Sequence, residues 1–269
     1  MGKIDDIQAY KEWTEYHRSL KRDKAADNLS PVERKKKLEK LEANVIEWIL
    51  FFFSEFAKYP FTKFHKKAIK RITTNMEWYE VLSWSRELAK STIVFMCMMY
   101  LVLTGKKRNV LLISNSHENA VRLLEPYKKA FESNSMLKAY YGDLREFGSW
   151  TADEFTLTTG ATFRAIGALE SPRGTRKDAV RPDTALVDDF DTDADCRNPD
   201  ILKKKWEWFE EALFPTRSIS EDLLVIFCGN LIALDCCVKR AGDKADHWDI
   251  VNIRDKDGKS SWPDRKSVV

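Results

Sequence analysis

Apolar residues come in short blocks separated by charged stretches, and the length and spacing of the blocks predict the elements. Residues 1 to about 43 are charged, and ERKKKLEKLE (33–42) has helical periodicity with little apolar surface. That pattern reads as a solvated helical appendage, or as an arm that touches DNA or another subunit. The character changes at Ile46, where WILFFFSEF (48–56) opens a helix expected to pack on the main domain. EVLS (80–83) is apolar enough for a strand, and SRELAKST (85–92) leads from it into the apolar helix IVFMCMMYLVL (93–103). Thr104-Gly105 then supplies a glycine suited to a helix C-terminal turn.

The same alternation continues downstream. NVLLIS (109–114) is a buried strand, and Asn115-Ser116-His117-Glu118 resembles a capping box opening the amphipathic helix AVRLLEPYKKAF (120–131). Residues 155–158 and 161–166 flank Thr159-Gly160, a hairpin turn. After the arginine-rich SPRGTRKDAVRPD (171–183) come the strand TALV (184–187), which ends at Asp188-Asp189, and the helix KKKWEWFEEALF (203–214). The apolar strand LLVIFC (223–228) stops at Gly229-Asn230, and no internal repeat or low-complexity linker intervenes. Strands alternating with helices predict an α/β fold with a mainly parallel sheet covered on both faces.

Composition narrows the classes without choosing among them. The chain has 269 residues, 43% hydrophobic and 12% aromatic, enough for one large core and against disorder. Its 45 Lys and Arg face 42 Asp and Glu, so the net charge of +3 neither demands nor excludes a nucleic-acid partner. Cys97, Cys196, Cys228, Cys236 and Cys237 form no CxxC pair and the four histidines lie far apart, so neither a zinc cage nor a disulfide framework is indicated. A reducing cytoplasm is expected. The N-terminus lacks the apolar core of a secretory signal, and the runs 45–53 and 93–103 fall short of the roughly 20 residues of a membrane crossing. No membrane partner is expected.

Candidate chemistry lies at the strand ends. A phosphate-binding loop needs backbone N–H groups at a helix N-terminus, a lysine for the β and γ phosphates and a hydroxyl for Mg2+. Lys90, Ser91 and Thr92 complete that pattern before an apolar helix, but Trp84 and Ala89 stand where GxxxxGK[ST] has glycines. Taken alone, AKS before a helix is more often just a helix start. A second signal follows about 100 residues later, where TALVDD delivers carboxylates to the C-terminal end of a strand, the place of nucleotide sites in open parallel sheets.

In this order and spacing the motifs resemble the large terminase subunits of tailed bacteriophages, DNA-packaging ATPases. SRELAKST is similar to that family's deviant Walker A loop, SPRGTR and VRPDTALVDD to its RG loop and Walker B, and LLVIFCGN with LIALDCC to its coupling motif. YPFTKFHKKAIK resembles the adenine-side motif and DKDGKSSWPDR the connector before the nuclease domain. The likeness runs from about residue 59 to 265. It implies a P-loop NTPase of the ASCE/RecA-like kind, with a charged helical segment over 1–45, the ATPase domain over 46–255 and the start of a linker over 256–269.

The resemblance also implies roles. Ser85, Arg86, Glu87, Leu88, Ala89, Lys90, Ser91 and Thr92 would cradle ATP, with Phe61 and His65 at the adenine. Ser91 and Asp188 would hold Mg2+. Asp189 would activate water, although Asp191 and Asp193 compete for that role. Arg86 would stabilise transition-state charge, and Arg173 and Arg176 would act in catalysis, one as a finger reaching a neighbouring subunit. Gly229 and Asn230 would couple hydrolysis to movement. Implied partners are double-stranded DNA, a homo-oligomeric ring on the portal protein, the small terminase subunit and a C-terminal nuclease domain, in the cytoplasm of a bacterial host. DNA contacts are expected from basic residues of 168–181 and from 203–205. The sequence ends near the connector, so no nuclease activity is expected of it. The alternatives are another P-loop helicase or translocase, and a degenerate nucleotide- or DNA-binding module without turnover.

Overall fold

A computed structural model describes residues 29–172, 181–217 and 222–262. Three strands, β2 (Asn109–Ser114), β6 (Thr184–Asp188) and β7 (Leu224–Cys228), are buried at every position. Strands apolar on both faces need cover on both, which makes them the centre of a parallel sheet. The order across the sheet is β3 (Arg145–Trp150), β4 (Glu154–Leu157), β5 (Thr162–Gly167), β2, β6, β7, β1 (Trp78–Trp84) and β8 (His247–Val251). From β5 to β8 every pairing is parallel, while β3 and β4 add an antiparallel edge.

Alternate residues of each central strand feed opposite cores. Leu82, Leu112, Leu186 and Ile226 join α2 (Val45–Phe52), α3 (Lys63–Thr74), α4 (Lys90–Leu103) and α5 (His117–Ser133) on one face. Val81, Leu111, Val187 and Phe227 meet α8 (Pro199–Glu207), its π-helical continuation Trp208–Leu213, and α9 (Cys237–Lys244) on the other. Helix α4 is buried from Ile93 through Val102, as expected of a helix apolar all round. Its C-terminal turn is closed at Gly105, with φ of 70°.

Two further helices are short: α6 (Ser135–Tyr141) and α7 (Asp193–Cys196). Helix α1 (Pro31–Glu42) is largely exposed, with Leu41 its one buried residue, and is docked at its C-terminal end. Leu41 enters the core, Tyr100 donates to the Glu42 carbonyl at 2.6 Å and Tyr141 to its carboxylate at 2.8 Å. At the other end of the sequence, Trp262 is buried and donates its indole N–H to the Pro60 carbonyl at 3.0 Å. Trp262 therefore packs on the same body as β1, while residues 256–259 are exposed.

Below the sheet, opposite the site described next, Lys107 is a buried staple. Its Nζ donates to the carbonyls of Met76, Asp183 and Asp222 at 2.9, 3.1 and 2.8 Å, tying together the N-terminal approaches to β1, β6 and β7.

Candidate functional site

The loop between β1 and α4 lies at the C-terminal edge of the sheet, where the helix presents its unpaired N–H groups. Among the described residues only Glu87, Ala89, Leu169 and Asp189 combine a side chain with positive φ, at 74°, 58°, 67° and 46°. Two of these lie in the loop and a third directly after β6. Left-handed backbone costs an L-residue about 1–2 kcal/mol, so such clustering marks a geometry that the surroundings enforce. Ala89 takes the conformation for which the usual pattern has glycine, so the loop keeps a left-handed turn without one.

Three contacts hold this backbone in place. Ser85 N–H donates to the Val251 carbonyl at 2.8 Å, Leu88 N–H reaches back to Ser85 at 3.3 Å, and His65 Nε2 donates to the Leu88 carbonyl at 3.0 Å. The tautomer follows from the other nitrogen, since Nδ1 accepts the Thr62 N–H at 3.2 Å. Burial pushes the His65 imidazole down to about 4, so it is neutral at physiological pH. Of the two residues expected at the adenine, His65 has both ring nitrogens bonded inside the protein, and both it and Phe61 are buried. Neither lines the cleft.

At the loop's far end the two sequence signals meet. Ser91 Oγ donates to Asp188 Oδ2 at 2.6 Å across 97 residues of sequence, and the Asp189 N–H donates to Asp188 Oδ1 at 3.0 Å. Burial pushes the Asp188 carboxyl up to about 6, against the opposing pull of Lys90 and the Ser91 bond. A buried carboxylate beside a hydroxyl is a hard-oxygen donor set short of positive charge, which fits Mg2+. The described residues also include one cluster of carboxylates with histidine, Glu80, His247 and Asp249, but Arg71 already supplies its cation at 2.6 Å from Glu80 and 2.7 Å from Asp249.

A cleft of about 660 Å³ runs over the loop, within the usual size of ligand pockets. Residues 84–87 and 89–92 line it together with Asp189, Asn230, and an end formed by Phe56, Tyr59 and Trp262 with the charged Glu55 and Lys58. A second hollow of about 600 Å³ continues past Asn115, Asn119, Arg122, Asp191 and Asp193. The two share Arg86, Ser91, Asp189 and Asn230. Asp189 therefore faces the loop directly, whereas Asp191 gives one oxygen to the Val238 N–H at 3.1 Å and Asp193 opens α7. Gly229 is fixed by packing: a Cβ there would lie 2.2 Å from Val238 Cγ2.

Arg173 and Arg176 lie outside the described residues. The approach to their segment is anchored, with Trp208 donating to the Glu170 carbonyl at 2.6 Å while stacked on Phe190 at 6.1 Å. Lys205, expected as a DNA contact, is instead buried: it donates to the Phe190 carbonyl and to Asp195 at 2.8 Å, clamping the segment after Asp189. Lys203 and Lys204 remain exposed. Sequence reading missed Tyr59 and Trp262 because nothing local brings position 262 to position 60.

A strand, a left-handed loop and a helix, with an acidic strand end two places across the parallel sheet, define the P-loop NTPase fold. No protein-family model matches the chain, and no curated protein matches it. Among solved structures it is similar to the HK97 bacteriophage large terminase, at 14% identity and a TM-score of 0.50 over 74% of this chain and 41% of that one. It spans about two fifths of that protein's length. The Thermus phage P74-26 large terminase ATPase domain aligns at 18% identity over 66% of this chain and 67% of that one, with a TM-score of 0.42. A mutant form of that domain aligns at 14% over 75% and 84%, with a TM-score of 0.46. No helix among the described residues is long and apolar enough to cross a membrane.

Proposed function

We propose that this chain is an Mg2+-dependent ATPase motor of the terminase kind, which hydrolyses ATP to drive double-stranded DNA into a viral procapsid. The observation that carries the reading is the 2.6 Å bond from Ser91 to Asp188 at the foot of a left-handed, lysine-ending loop. Fold likeness to the HK97 large terminase supports the packaging role. On this reading the chain works as a ring on a portal protein, with a small terminase subunit and a nuclease domain, in the host cytoplasm.

Lys90 and the loop N–H groups bind the β and γ phosphates, and Thr92 supports them. Mg2+ held by Ser91 and Asp188 would neutralise phosphate charge. Asp189 orients the attacking water and takes its proton as the oxygen bonds to the γ phosphorus and the bond to the β–γ bridging oxygen breaks. Arg86, on the shared wall of both hollows, meets the charge that develops. Arg173 or Arg176 serves a neighbouring subunit. Gly229 and Asn230 pass the loss of γ phosphate to α9, against which Gly229 packs.

The test is phosphate release by wild type and single variants, with and without duplex DNA. Lys90→Ala should abolish turnover and Asp189→Asn should reduce it about 100-fold, while Asp191→Asn and Asp193→Asn retain most of it. Equal turnover by wild type and Lys90→Ala would sink the ATPase reading and leave a module that binds without hydrolysis.

A further inference from the structure

On three helices of this protein a basic side chain is offset by an acid one turn away. Arg122 pairs with Glu118 and Lys129 with Glu125 on α5, Lys203 with Glu207 on α8, and Lys239 with Asp243 on α9. Helix α3 departs from that pattern. Lys63, Lys66, Lys67 and Lys70 are exposed, form no ion pair with any described residue, and share their helix with no acidic residue. Their spacing of i, i+3, i+4 and i+7 puts all four on one face, while His65, Ala68, Ile69, Ile72 and Thr73 are buried on the other. Arg71 is already bound to Glu80 and Asp249. Each lysine of the stripe thus has like charge one turn away, and Lys63 opens the helix where the backbone dipole disfavours a cation. Solubility alone is served as well by mixed charge.

We infer that this lysine face of α3 grips the phosphate backbone of double-stranded DNA. The inference rests on the DNA partner of the proposed motor and gives it a contact surface apart from 203–205, where Lys205 is buried. Two observations favour a nucleic acid over an acidic protein segment. The exposed positions of α3 are the four lysines and Thr74, with no large apolar side chain among them, whereas protein interfaces have apolar centres and are depleted in lysine. Along the helix axis the stripe runs about 10 Å, and the same length of duplex carries about six phosphate charges. Contacts from lysine to phosphate carry no base information, so the grip is independent of sequence, as DNA packaging requires.

Fluorescence anisotropy of the full chain with a labelled DNA duplex, over a series of salt concentrations, counts the phosphates neutralised, since log affinity falls with log salt by about 0.9 per contact. The combined Lys63→Gln, Lys66→Gln, Lys67→Gln and Lys70→Gln variant should flatten that slope by about 3 to 4 and weaken binding more than about tenfold at low salt. Arginine at the same four positions should keep the slope. A control with Lys35→Gln, Lys36→Gln, Lys40→Gln and Lys256→Gln removes equal charge from exposed positions elsewhere and should change the slope by less than about one. An unchanged slope in the first variant, an equal flattening in the control, or the same loss with arginine would overturn the site. Tighter binding of labelled polyglutamate than of the duplex would also overturn it and give the face to an acidic protein segment. Wild type that fails to bind duplex at low salt would remove the DNA partner itself, and with it both the motor reading and this site.

Discussion

Asp188→Asn should stabilise the protein while removing its activity. The carboxyl of Asp188 is raised by burial to about 6, whereas an unfolded chain ionises its aspartates near 4. Below pH 4 both states hold the proton and nothing is lost. Between pH 4 and 6 the folded state keeps a proton that the unfolded state has released, so stability falls as pH rises through that window. At pH 7 the loss amounts to about 3 kcal/mol. Asparagine removes the titration and keeps both hydrogen bonds: its oxygen accepts the Asp189 N–H, and its amide donates to the Ser91 hydroxyl. Urea unfolding of both proteins at pH 4 and pH 7, without nucleotide or Mg2+, measures the difference with other titrations cancelling. Near-equal midpoints at pH 4 and a variant more stable by about 3 kcal/mol at pH 7 are expected. A variant no more stable at pH 7, or a gap independent of pH, would refute the claim that burial of an only partly compensated charge is what the site sustains.

Removing the staple under the sheet should be costly. Lys107→Met leaves three strand-end carbonyls without their shared donor, for an expected loss of about 3–5 kcal/mol in urea unfolding. Ala89→Gly should go the other way from an ordinary helix-boundary glycine: relief of the left-handed strain, about 1–2 kcal/mol, outweighs the added freedom of the unfolded chain. Thermal unfolding should show a neutral or slightly raised midpoint.

The central elements were legible because their signals are local. NVLLIS and TALV are apolar at every position, and the only physical solution for such strands is a covered parallel sheet with its functional ends on one edge. The edge strands were not. REFGSW exposes Phe147 fully, and HWDIV carries His247 and Asp249, whose charge makes sense only beside Arg71 on α3. Triple lysine at 203–205 reads as a set of DNA contacts, yet the helix turns Lys205 inward to the Phe190 carbonyl. For the site, Lys90, Ser91 and Asp188 could be paired by motif order. The aromatic end could not, since it depends on a contact spanning 202 residues.

Glycine leaves a phosphate loop more backbone freedom, and any of it still present in the folded protein must be offset at the moment of binding. Here Glu87 and Ala89 already hold the left-handed turns, and His65, Ser85 and Val251 clasp them from behind. The ordering entropy was surrendered once, at folding, and is not charged against each nucleotide. For a motor of the proposed kind, which would capture and discard a ligand every cycle, such a seat keeps exchange quick, because arrival and departure require no rebuilding of the loop.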